Sequence, residues 1–108
     1  PLMKQAPGGR IVMLSSMLGS LETMTGLTLA YRMSKTAMNT LTRVLADELK
    51  SSGILVNAVC PGWVRTELGG DDAPVTPKEA AANVVELALL AEGGPSGQFF
   101  REGKNYPW

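Results

Sequence analysis

Two short apolar runs bracket a stretch with a different rhythm. Ile11-Val12-Met13-Leu14, entered from Arg10, and Ile54-Leu55-Val56-Asn57-Ala58-Val59 are almost continuously apolar. Runs of that length suit strands buried on both faces of a parallel sheet. Between them, Met38, Leu41, Leu45 and Leu49 return every three or four positions, with Ala37 and Val44 alongside. This spacing predicts a helix from about Tyr31 to about Ser51 with that apolar face buried. Thr36, Thr40, Arg43, Asp47 and Lys50 share a second, polar face, and Gly53 suits a left-handed helix end. Strand, helix and strand in this order form a βαβ unit, which makes the two strands parallel with a right-handed crossover.

The remaining segments fit around that unit. Leu2, Met3 and Lys4 read as the last turn of a helix stopped by Gly8-Gly9. Met17 to Ala30, rich in Gly, Ser and Thr, reads as a connection across the floor of a cleft. Cys60-Pro61-Gly62 breaks the second strand, and Trp63 to Val75 reads as a mobile surface loop. Thr76-Pro77-Lys78-Glu79 joins a capping Thr, a Pro at the first helical position and a Glu three residues after the cap, a strong helix start. Ala80, Val84, Val85, Leu87, Ala88 and Ala91 supply its apolar face, and Gly93-Gly94-Pro95 ends it. Gly97 to Arg101 reads as a third strand and Gly103 to Trp108 as a tail. The fold class is α/β, with the order β-α-β-α-β in a parallel sheet.

Composition narrows the function classes. The 108 residues carry 10 basic and 10 acidic side chains, with both signs scattered. Neither nucleic acid nor a membrane surface is the expected partner, and no apolar run is long enough to span a bilayer. A single cysteine, Cys60, cannot close an internal disulfide, which fits a reducing, cytoplasmic setting. There is no histidine, so His-based triads and the common zinc motifs are excluded. Cys60 lacks a His to activate it and reads as a small buried residue. Met13, Met17, Met24, Met33 and Met38 read as core filler and cleft lining.

One spacing carries chemistry. Tyr31 and Lys35 stand four residues apart at the head of the central helix, one turn apart on one face. A cation beside a phenol favours the phenolate, and such a phenol can exchange a proton with a carbonyl or alcohol oxygen. The bland alternative is an interfacial tyrosine that happens to precede a lysine. Ser15-Ser16, at the carboxyl end of the first strand, sit where open α/β sheets bind ligands, or simply terminate the strand.

Gly9-Arg10-Ile11-Val12-Met13-Leu14-Ser15-Ser16, Tyr31-x-x-x-Lys35, Val56-Asn57-Ala58-Val59-Cys60-Pro61-Gly62 and Val64-Arg65-Thr66 occur in that order. Together they resemble the second half of a short-chain dehydrogenase/reductase, over essentially the whole chain. Pro61 to Gly70 and the closing Asn105-Tyr106-Pro107-Trp108 are similar to the carbonyl-reductase-like branch related to C-factor and sniffer proteins. The resemblance implies the C-terminal part of a Rossmann-type doubly wound sheet. It implies that Tyr31 is the general acid/base, that Lys35 favours its phenolate and bonds the nicotinamide ribose, and that Ser16, with Ser15 as fallback, holds the substrate oxygen. Pro61, Gly62 and Thr66 would pack on the nicotinamide and its carboxamide. The cofactor would be NADP or NAD, the substrate a small carbonyl or alcohol, and the full-length form a homo-oligomer.

The pattern departs from the family at its phosphate end. No G-x-x-x-G-x-G loop opens a βα unit, no residue is placed to choose between NAD and NADP, and the Asn-Asn-Ala-Gly segment is absent. Residues 1–108 therefore read as a partial domain lacking the dinucleotide phosphate-binding half, inactive alone, with an exposed edge on the strand at 10–14. The alternative is a non-catalytic remnant that acts through association.

Overall fold

A computed structural model describes residues 2–5 and 8–108. Its elements run β1 (Arg10–Leu14), α1 (Leu29–Glu48), β2 (Leu55–Cys60), α2 (Pro77–Ala88), β3 (Phe99–Arg101) and β4 (Lys104–Asn105). Short 3-10 turns occupy Met3–Gln5, Met17–Gly19 and Lys50–Ser52. The expected helix end near the amino terminus is a single turn here, and Pro1, Ala6 and Pro7 lie outside the described residues. α1 starts two residues earlier than its periodicity predicts, and Gly53 closes the turn after it at φ 66°.

The sheet order is β1-β2-β3-β4. β1 pairs parallel with β2 from Arg10 opposite Leu55 to Leu14 opposite Val59, and β2 pairs parallel with β3. β4 pairs antiparallel with β3, so the sheet is mixed rather than wholly parallel. Its two residues sit within the segment read as a tail, too short for any period to show. β2 is buried along its whole length, as a central strand should be. β1 is half-buried and ends on an exposed Leu14, so it is not covered on both faces. It is an edge strand among the described residues.

Two apolar clusters hold the layers together. Ala46, Ile54 and Val56 join α1 to the sheet, with Ile11, Leu45 and Leu49 against them. Ala58, Cys60 and Phe99 form the other, covered by Met13, Met17, Tyr106 and Trp108. Fully burying an aliphatic side chain of this size contributes about 1.5–3 kcal/mol. Trp108 stacks on Phe99 with ring centroids 5.5 Å apart, which folds the end of the chain back onto the sheet. Asn57 is buried in the middle of β2. Its amide donates to Pro95 O at 2.7 Å and accepts from Gln98 N at 3.0 Å, securing the turn into β3.

Each helix buries only part of the face that its apolar periodicity predicts, the half-buried Leu45 and Leu49 in α1 and Ala80 and Leu87 in α2. In α1 the buried residues are Arg32, Asn39, Thr42 and Ala46, while Met33, Ala37, Leu41 and Val44 are exposed. The segment between β1 and α1 explains this. It lies against α1 and presents backbone carbonyls, which demand polar partners rather than apolar ones. Among the described residues every buried side-chain nitrogen and oxygen has such a partner. Met33 is consequently surface, not core filler. In α2 only Ala80 and Leu87 are buried, Val84 is half-buried, and Val85, Ala88 and Ala91 are exposed. The capping box at Thr76 and Glu79 forms as predicted.

The Trp63–Val75 segment, read from sequence as a mobile loop, is laced. Val64 and Val75 form an isolated parallel bridge. Trp63 Nε1 donates to Gly69 O at 2.8 Å, and Arg65 Nε donates to the carbonyl of the fully buried Ala73 at 3.1 Å.

Candidate active site

β1 and β2 run parallel, so their carboxyl ends open at the same side of the sheet. Ser15 and Ser16 leave β1 there, and Pro61 and Gly62 leave β2. A bond from Ser15 N to Val59 O at 2.8 Å carries the pairing to the very end. Lys35 reaches this place from the first turns of α1. Its Nζ donates to Leu14 O at 3.0 Å and stands 5.5 Å from the centre of the Tyr31 ring. The two side chains are thus brought together, with Tyr31 41% exposed. The Tyr31 carbonyl accepts from Ser34 Oγ at 2.7 Å, which fixes the backbone between Tyr31 and Lys35.

Adjacent serines take opposite directions, as neighbours on an extended chain do. Ser15 is buried; its one O–H donates to Asn39 Oδ1 at 2.5 Å, with Lys35 O a more distant acceptor at 3.3 Å. Its hydroxyl serves the strand–helix junction. Ser16 is half-exposed at the strand end, and its Oγ accepts from Leu18 N at 3.2 Å as the cap of the Met17–Gly19 turn. A hydroxyl accepting that bond keeps its own O–H free to donate.

Pro61 and Gly62 are half-buried, and Gly62 takes φ 85°, a conformation that favours glycine. A Cβ at Gly62 would stand 3.1 Å from Val75 Cγ2, so the bare backbone there is also tightly backed. Thr66 is exposed. Its hydroxyl is engaged within its own loop, donating to Val64 O at 3.4 Å and accepting from Gly69 N at 3.1 Å. Nothing joins Thr66 directly to Tyr31 and Lys35.

Sequence reasoning missed five positions that set the surroundings of Tyr31 and Lys35. Gly19 packs on α1 so closely that a Cβ would fall 2.6 Å from the Lys35 carbonyl carbon and 2.9 Å from Thr36 N. The Gly19 carbonyl accepts from Thr36 Oγ1 at 3.0 Å and from Asn39 Nδ2 at 3.1 Å. Asn39 thus ties both Ser15 and Gly19 to the helix. Arg32, beside Tyr31, is 7% exposed, and among the described residues no carboxylate lies within ion-pair distance of it. Leu27 and Thr28, which lead into α1, adopt φ 68° and 51°. Left-handed backbone costs a non-glycine residue about 1–2 kcal/mol. The only signal for these positions lies in residue type: a small residue in the loop, and a buried-face Asn and Arg with no acid at helical spacing.

The sequence profile described as short chain dehydrogenase matches residues 1–75. The chain belongs to this family. Among its short chain dehydrogenase relatives, carbonyl reductase (NADPH) 1 of Rattus norvegicus is 44% identical over 85 residues, covering 73% of this chain and 31% of the relative. The carbonyl reductase Sniffer of D. melanogaster superimposes with a TM-score of 0.86 at 34% identity, over 100% of this chain and 49% of that one. NADPH-bound carbonyl reductase from chicken fatty liver superimposes with a TM-score of 0.79 at 36% identity, over 92% of this chain and 42% of that one. The matched part of the chain thus spans 31–49% of the length of these relatives. The α/β arrangement of a Rossmann-type sheet, expected from sequence, is the arrangement these short chain dehydrogenase structures share.

Proposed function

We propose that the chain carries the proton-handling centre of a carbonyl reductase, in which Tyr31 protonates the substrate oxygen. The observation that supports this best is the place of the Lys35 ammonium, between the carbonyl end of β1 and the face of the Tyr31 ring. Ser16 would donate its free O–H to the same substrate oxygen. Lys35 has three donors, of which Leu14 O takes one, leaving the ammonium able to bond a ribose hydroxyl. The nicotinamide end of NADP fits this donor set and the bare, backed backbone at Gly62 beside Pro61, and of the relatives above carbonyl reductase (NADPH) 1 is named for NADPH and the chicken fatty liver enzyme holds it bound. When bound, the cofactor supplies the hydride. Thr66 would close the carboxamide side. No residues for the phosphate end are found in the sequence, so the 108 residues alone are expected to bind dinucleotide weakly.

Tyr31→Phe, made in the protein as its gene encodes it, removes the transferable proton and keeps the ring. Turnover of a carbonyl substrate should fall by about 10²–10⁴, with NADPH affinity nearly unchanged. Retained turnover removes Tyr31 from the role. Buried, unpaired Cys60 suits a reducing compartment such as the cytoplasm.

Association rests on a separate observation. The outer strip of α1, Met33, Ala37, Leu41 and Val44, is apolar and exposed. A second copy meeting it through the same strip would cover it on both sides, as expected for a homo-oligomer. Sedimentation of the gene-encoded protein as a monomer counts against this.

A further inference from the structure

Arg101 closes β3 at the carboxyl end of the sheet, opposite Cys60 in the register with β2. Three groups surround its guanidinium. Nε donates to Glu102 Oε1 at 3.2 Å, the Tyr106 ring centre lies 5.8 Å away, and Nη1 donates to Met17 Sδ at 2.9 Å. Glu102 is exposed, so the ion pair is screened by solvent and weak. The Met17 contact is of another kind. It joins the end of β3 to the turn that follows β1, 84 residues away. A thioether is a weak acceptor, but methionine turns about three bonds. The Met17 side chain already packs on the Ala58, Cys60 and Phe99 cluster. A donor at its tip selects one of its conformers and fixes how it crosses the ends of the strands.

Ser16 stands between two anchored neighbours. Ser15 is tied to Val59 O through its N–H and to Asn39 through its hydroxyl. Met17 is tied to the sheet through its side chain. Among the described residues the hydrogen-bond partner of the Ser16 hydroxyl is Leu18 N, inside the same turn. Gly19 N bonds Ser16 O at 2.8 Å and Ser20 N bonds Met17 O at 3.1 Å, which closes that turn into one small body. The Ser16 hydroxyl therefore goes where the turn goes. Gly19 seats the far side of the turn on the backbone of Lys35, and Met17 ties its near side to the sheet.

We propose that Arg101 is a positioning residue: through the Met17 sulfur it sets the Met17–Gly19 turn, and with it the direction in which Ser16 presents its O–H to the substrate oxygen. The proposal rests on the reading of Ser16 as a donor to that oxygen. Arg101 itself touches neither substrate nor cofactor. It acts from the far strand of the sheet, one residue removed from the serine.

The test measures kcat and KM for a carbonyl substrate, and NADPH affinity, in the gene-encoded protein and its Arg101→Gln, Met17→Leu and Ser16→Ala variants. Arg101→Gln should lower kcat about tenfold, short of the about 10²-fold that a 1 Å misplacement can cost, with NADPH affinity unchanged. Met17→Leu keeps the packing and loses the acceptor, and should lower kcat by a similar factor. The double variant should be no worse than either single one, because both break the same contact. In a Ser16→Ala background, Arg101→Gln should cost nothing further. Exchange of the Leu18 amide, which bonds Ser16 Oγ, should quicken in Arg101→Gln and Met17→Leu while the buried β2 stays protected. Additive losses in the double variant overturn the proposal, as does an undiminished loss in the Ser16→Ala background. A fall in NADPH affinity with the Leu18 amide still protected also overturns it, and makes Arg101 a cofactor contact instead. If Arg101→Gln does not fold, Met17→Leu decides, and unchanged kcat there overturns the proposal. Ser16→Ala alone separates the two readings. Full turnover in that variant removes Ser16 from the reaction, whereas Leu18 exchange reports the hold of Arg101 on the turn in either case.

Discussion

The two halves of α1 are held by different forces. From Leu29 to Asn39 the buried side chains are Arg32 and Asn39, bonded to carbonyls and hydroxyls of the preceding segment. From Thr40 to Leu49 the helix rests on Ala46, Leu45 and Leu49 against Ile11, Ile54 and Val56. Apolar burial is non-directional and scales with area. It stabilises strongly and tolerates small shifts. A hydrogen bond contributes only about 1 kcal/mol net, but leaving a buried partner unpaired costs about 1–3 kcal/mol, so it punishes displacement. The catalytic candidates Tyr31 and Lys35 lie in the half where position is enforced, and the far half anchors the helix to the sheet.

That division can be broken by substitution. Ile54→Ala empties the apolar side, and unfolding free energy should drop by about 2–5 kcal/mol, read from denaturant titration. Turnover per folded molecule should hold. A large kinetic change with this variant would mean that the far half positions chemistry too. Asn39→Ala removes one hydrogen bond each from the Ser15 hydroxyl and the Gly19 carbonyl, which keep Lys35 O and Thr36 Oγ1 as their remaining partners. It should cost less stability, about 1–3 kcal/mol, yet lower kcat/KM more than Ile54→Ala does. The reverse ranking breaks the comparison.

The smallest effect comes from α2, which belongs to neither half. The Thr76 hydroxyl and then the Thr76 backbone N–H bond the Glu79 carboxylate and hold it below the usual glutamate range. A carboxylate lowered on folding stabilises at pH above its ordinary value, and that contribution is lost as pH falls through the lowered one. Amide exchange at the start of α2 should therefore quicken on acidification through the carboxylate range, while the start of α1 stays protected. Equal acid sensitivity at both helix starts would deny α1 its carboxylate-independent hold.

Where the sequence carried a local signal, the structure agrees. β1, β2 and β3, the Thr76 capping box and the left-handed Gly53 all answer to residue type and short-range spacing. The inward face of α1 did not, because burying Arg32 and Asn39 makes sense only once the carbonyls of Leu18, Gly19 and Leu27 are known to lie there. Gly19 was invisible for the same reason. Its value is the absence of a side chain against Lys35, and absence has no period. The Tyr31–Lys35 pairing was readable because both sit one turn apart on one helix, whereas the separate roles of Ser15 and Ser16 depend on which side of β1 the helix covers.

Lys35 spans from a strand carbonyl to an aromatic face. Its four methylenes act as a gauge block cut to the gap between sheet and phenol. Ornithine at this position would keep the charge and lose one methylene. It would have to release either Leu14 or Tyr31, and which contact survived would show whether the ammonium belongs first to the scaffold or to the reaction.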